Sequence, residues 1–171
     1  MNYFIDIKKY INNKQYDDLI FKDGEIIQKQ NAAFRICHTS GGDNVYAENQ
    51  EIIIDLGGYD KIYFLGNSDC GVFQEKTTLT YADGTEQKEY VEFWDRAWFQ
   101  KLDGWVFDKE KIISQRLCKV FNTFYIKAGD ASFKQYLFFC CIKLKENAHL
   151  KSIILPDNIL MHYYAITLTK E

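Results

Sequence analysis

The sequence predicts an all-β fold: an antiparallel β-sandwich or jelly roll with one or two short helical turns. Three observations carry that expectation. Apolar and polar residues alternate in one short segment after another, which is the period of a half-buried strand. Turn-forming residues separate these segments at close intervals, which favours a sandwich over alternating βαβ units. Aromatic residues (13 Phe, 12 Tyr and 3 Trp) make up 16% of the 171 residues, and their bulk suits a pleated, half-buried surface.

Taken in chain order, Glu51 to Leu56 places Ile52, Ile54 and Leu56 on one face, and Gly57-Gly58 ends the run. Lys61 to Leu65 is apolar on both faces, as a central strand covered on both sides would be. Thr77 to Tyr81 is β-branched, and Ala82-Asp83-Gly84-Thr85 turns it into Glu89 to Trp94, where Tyr90 alternates against Val91 and Phe93. Phe121 to Ile126, Tyr136 to Leu144 and His162 to Leu168 complete the strands. Helical signals are confined to Lys109 to Arg116 and to a single turn at Asp157 to Met161 after Pro156. There is no internal repeat and no proline-rich linker, so residues 1–171 read as one domain. At this size a chain buries roughly 70% of its unfolded surface.

Composition excludes several function classes. The net charge is −3, with both signs interspersed and no basic stripe, so a nucleic-acid partner is not expected. Lys8-Lys9 and the lysines from Lys101 to Lys111 read as solvated. No run of 18 apolar residues spans a membrane. The N-terminus lacks the charged and apolar regions of a signal peptide, which implies a cytoplasmic chain, or an extracellular one if the sequence is an excised module. The five cysteines, Cys37, Cys70, Cys118, Cys140 and Cys141, show no C-x-x-C spacing and read as reduced, small hydrophobic residues. Cys140 and Cys141, as neighbours on a strand, should face opposite ways.

Several motifs, in order, carry a family resemblance. They are Ile5-Asp6-Ile7 with Asn12-Asn13, Gly41-Gly42-Asp43-Asn44-Val45, the stretch Gly58 to Asn67, Tyr81 to Thr85, Trp94-Asp95 with Trp98, and Leu155-Pro156 with Met161 to Leu168. Together they resemble bacterial galactose-binding-like β-sandwich domains that accompany glycoside hydrolases. The resemblance implies a jelly roll with a role near carbohydrate, and a glycan or an associated glycoside hydrolase as partner.

Sugar recognition needs a flat aromatic face for the C–H patch of a pyranose, and carboxylates or amides for its hydroxyls. Trp94, Asp95, Arg96 and Trp98 supply both within five positions: a stacking platform with an Asp/Arg clamp, or else a core tryptophan followed by a turn-capping aspartate. Trp105, after Asp103-Gly104, reads as a lid or an end plug. Asn67, in the polar loop Asn67-Ser68-Asp69, joins the ligand-binding set. Asp43 and Asn44 form either a calcium loop, the one metal site the sequence suggests, or an Asx-type turn.

Enzyme signals are sparse. His38, His149 and His162 belong to no metal-binding array. Cys37 and His38, as strand neighbours, face apart. His162 shares parity with Tyr164, Ile166 and Leu168, which suggests a core-side histidine with a hydrogen-bond partner. Asp17-Asp18 and Glu89/Glu92 look solvated. The leading expectation is a non-catalytic carbohydrate-binding or carbohydrate-associated module. The alternatives are a structural or assembly protein that self-associates through the Tyr136 to Leu144 face, and a small sugar-active enzyme.

Overall fold

The alternating segments become twelve strands and one 3-10 turn among the described residues of the computed structural model, which are 1–14, 22–29, 32–95, 123–127 and 134–171. In chain order the strands are β1 (Asn2–Phe4), β2 (Ile26–Lys29), β3 (Ala32–Arg35), β4 (Val45–Glu48), β5 (Glu51–Gly57) and β6 (Lys61–Ser68). They continue with β7 (Phe73–Tyr81), β8 (Glu86–Phe93), β9 (Thr123–Lys127), β10 (Lys134–Lys143), β11 (His149–Ile154) and β12 (Asp157–Thr169). The 3-10 turn is Lys8–Tyr10.

One sheet runs β1-β12-β6-β10-β9, with β4 also paired to β12; the second runs β5-β11-β7-β8; β2 and β3 form a separate hairpin. Each strand pairing among the described residues is antiparallel. The 13 residues of β12 pair with β6 along most of their length; β4 occupies the first half of its other edge and β1 the last three residues.

Two apolar layers hold this arrangement together. Between the two sheets lie Ile62, Phe64, Phe138, Tyr163, Ile166 and Leu168 from the larger, against Ile52, Leu79, Tyr81, Val91, Phe93 and Ile153 from the smaller. The β2–β3 hairpin covers the opposite face of the larger sheet, where Phe34 packs with Tyr63, Leu65, Phe139 and Tyr164. Alternation along β6 therefore sends Ile62 and Phe64 to one layer and Tyr63 and Leu65 to the other, as its apolar pattern predicts. Cys140 and Cys141 likewise part, one to each layer. Cys37, Cys70, Cys140 and Cys141 are free thiols; Cys118 lies outside the described residues.

Gly66 is a point of close approach between β6 and the smaller sheet. A Cβ there would lie 2.3 Å from both the His162 carbonyl oxygen and Cε2 of Phe93. The missing side chain lets the Phe93 ring lie directly on β6, 5.0 Å from the Tyr163 ring.

Three expectations are corrected. Asp157 to Met161 is strand, because pairing with β4 and β6 outweighs the helical hint after Pro156. Asn67 and Ser68 lie inside β6, opposite His162 and Met161, and are fully buried rather than in a polar loop. The parity of β12 also breaks: a register shift between Tyr163 and Ala165 leaves Tyr164 in the hairpin layer while Ile166 and Leu168 face the core between the sheets. The helical expectation at Lys109 to Arg116 falls outside the described residues.

Candidate functional site

Asn44 and Asn67, nominated from separate stretches of sequence, both meet His162, with Asp43 bonded to Asn44 and Asp95 bridged to Ser68 beside Asn67. The turn Thr39–Gly42 is closed by paired backbone bonds, Thr39 N–H to the Gly42 oxygen at 2.8 Å and Gly42 N–H to the Thr39 oxygen at 3.4 Å. Gly42 lies so close to Asn13 that a Cβ would be 2.6 Å from its carbonyl oxygen. This contact seats Asp43 and Asn44 in the interior, where both are buried. The Asn44 amide nitrogen donates to Asp43 Oδ1 at 2.5 Å, and its oxygen accepts from Asn13 Nδ2 at 3.1 Å.

That same oxygen lies 3.2 Å from His162 Nδ1, so the network assigns Nδ1–H as donor. His162 is only 1% exposed, with the Tyr46 ring edge-on at 4.5 Å. Its Nε2 lies 3.3 Å from Asp69 Oδ2, within ion-pair distance but out of hydrogen-bond alignment. Asn67 is the Cα partner of His162 across the sheet, and Asp95 enters through a parallel bridge to Ser68. The expected core-side histidine with a polar partner is thus present.

This network does not fit calcium. The Asn44 oxygen accepts from Asn13 and His162, and Asp43 Oδ1 accepts the Asn44 amide, so these oxygens are engaged in holding the turn rather than presented together to an ion. Among the described residues no group of three or more His, Cys, Asp or Glu side chains is gathered to hold a metal ion. Asp43 and Asn44 instead fix the chain leading into β4. The asparagine before Asn13 completes the clamp: Asn12 accepts from the Tyr46 backbone N–H at 2.8 Å and donates to Glu48 at 3.1 Å.

Trp94 does not form a surface platform. It is 1% exposed, its ring 6.3 Å from Phe138, and its indole N–H donates to Glu92 at 2.9 Å. An indole spent on the core has no face left for a sugar. Asp95 is also buried, and Arg96, Trp98 and Trp105 fall outside the described residues.

An open groove lies elsewhere, between the edge strands of the two sheets. Tyr3 and Ile5, Asp6, Lys8 and Lys9, and Ile53 and Ile54 of β5 line a volume of about 420 Å³, within the range of small-molecule sites. Tyr3 is 43% exposed and is supported by Tyr59, 6.0 Å away between ring centroids. Ile53 is half exposed, and its backbone N–H, on the free edge of β5, donates to the Tyr10 hydroxyl at 2.9 Å. Asp6 Oδ1 accepts the Lys8 backbone N–H at 3.0 Å. The Lys8 ammonium reaches Asp23 at 2.5 Å, a hydrogen-bonded pair that raises the lysine pKa and lowers that of the aspartate. Little in the sequence points to this groove, because residues 3–9 and 53–54 meet only once both sheets are assembled.

The fold places the chain among antiparallel β-sandwich domains. Residues 23–171 match the AziU2-like beta-sandwich domain, and the chain belongs to that family. No curated protein matches it. Among the described residues no helix is long and apolar enough to cross a membrane.

Proposed function

We propose that this domain is a non-catalytic carbohydrate-binding module whose ligand sits in the Tyr3 groove. The observation that carries the reading is a half-exposed tyrosine ring in a groove of ligand size, with charged side chains beside it and isoleucines on the wall. An aromatic face suits the C–H patch of a pyranose, while the Lys9 ammonium and the second Asp6 carboxylate oxygen supply hydrogen-bonding groups for hydroxyls. The motif-level likeness to galactose-binding-like domains supports the same ligand class, and with it a glycoside hydrolase as a working partner. A non-catalytic role is favoured because Asp6 is the one carboxylate among the described residues that line the groove, whereas glycoside hydrolysis uses a pair. The His162 network is buried and ties Asn44, ahead of β4, to β12 through Nδ1, which supports a structural role for it.

Calorimetric titration with mono- and oligosaccharides tests the proposal. Dissociation constants from micromolar to millimolar are expected, about −8 to −4 kcal/mol. Tyr3→Ala should weaken binding by about tenfold or more, the scale of one lost aromatic contact, without lowering the melting temperature. Silence across the panel, with ligand well into the millimolar range, would overturn the reading in favour of an assembly role.

A further inference from the structure

The charges in the groove are unequally committed. Asp6 is turned back on its own chain, accepting the Lys8 backbone N–H, and the Lys8 ammonium is bonded to Asp23. Lys9 is different. Its ammonium lies 4.8 Å from the centroid of the Tyr10 ring, and among the described residues its N–H donors meet no hydrogen-bond acceptor. Tyr10 is itself fixed, because its hydroxyl accepts the Ile53 N–H on the opposite wall. The Lys9 ammonium is therefore held beside the groove by a braced ring, which lowers the entropy lost when it takes up a ligand oxygen. A cation with free donors selects an anionic oxygen group, since charge-assisted hydrogen bonds are roughly twice as strong as neutral ones.

We infer that the groove takes an acidic saccharide, with a sugar ring on Tyr3 and its carboxylate or sulfate on Lys9. This inference rests on the Tyr3 groove being the binding site. The test is calorimetry on the wild type and on Lys9→Gln with three probes: α-1,4-digalacturonate, galactose 6-sulfate and neutral α-1,4-galactobiose. Lys9 is exposed, so the variant should fold normally.

One or both acidic probes should bind about tenfold tighter than galactobiose at low salt. The preference should shrink in 0.5 M sodium chloride and vanish in Lys9→Gln, with galactobiose binding unchanged. Comparing digalacturonate with the sulfate ester shows which anion is read. Equal or tighter binding of galactobiose, or an acidic preference that survives in Lys9→Gln, would overturn the inference while leaving the carbohydrate reading in place. Failure of all three probes to bind would instead count against the groove as a sugar site.

Discussion

The two sheets of this domain share a core but differ in what covers their other faces. The larger is buried on both sides: β6 is buried from Ile62 to Ser68, and β12 from Met161 to Thr169. The smaller has one wet face. Along β7 and β8, Gln74, Lys76, Lys88 and Tyr90 stand outward while Leu79, Tyr81, Val91 and Phe93 are buried. Its outer pairs are those of a solvated sheet, with Gln74 hydrogen-bonded to Glu92 at 3.1 Å and the Lys76 ammonium over the Tyr90 ring at 5.4 Å. Among the described residues the β2–β3 hairpin accounts for the difference. The β2–β3 hairpin lies over the larger sheet, anchored by Phe34 and by the Thr167 hydroxyl, which donates to the Ala33 oxygen at 2.8 Å.

The contrast can be broken most strongly at Phe34. Phe34→Ala removes the ring that meets Tyr63 and Phe139 and should cost about 3–5 kcal/mol. Tyr90→Ala, an aromatic truncation of similar size on the exposed face, should cost about 0.5 kcal/mol or less. Urea unfolding of the two variants side by side checks both values. Similar losses would mean that the hairpin does not cover the sheet in solution.

Alkaline titration sharpens the same contrast, because burial raises the pKa values of several interior phenols and thiols. Burial pushes the Tyr63 phenol and the Cys140 thiol each up to about 12, raises Tyr163 well above the ordinary phenol, and raises Tyr81. In the unfolded chain these groups lose protons near 9 for the thiol and 10 for the phenols. Between those values and about 12 the folded state holds more protons than the unfolded state, so stability falls as pH rises. It should be intact below pH 9 and decline progressively up to about pH 12. A melting temperature that stays flat from pH 8 to 11 would contradict the burial of these groups.

What the sequence made legible follows the same division. The double-sided apolar run at Lys61 to Leu65 and the alternation around Tyr90 could be read directly, because each reports its own strand's surroundings. The hairpin that creates the double burial could not, since β2 and β3 have only four residues each and carry too few alternations to stand out. At the candidate site, residue chemistry was legible and location was not. Asp43, Asn44 and Asn67 read as loop residues, yet the pairing of β6 with β12 and the bonds of Asn44 draw them inward around His162. Trp94 reads in sequence as either a stacking face or a core residue, and its place just past the end of β8, packed in the core, decides for the core. The groove escaped because it lies between two sheet edges far apart in sequence.

The most direct test of the account is amide chemical-shift mapping of the ¹⁵N-labelled protein during titration with digalacturonate. Saturable shifts should gather at Tyr3, Asp6, Lys9 and Ile53, with little change around His162 or on the outer face of β7 and β8. Shifts centred on the exposed face of the smaller sheet, or on residues 96–122, with none at Tyr3 or Lys9, would contradict the assignment of the binding groove.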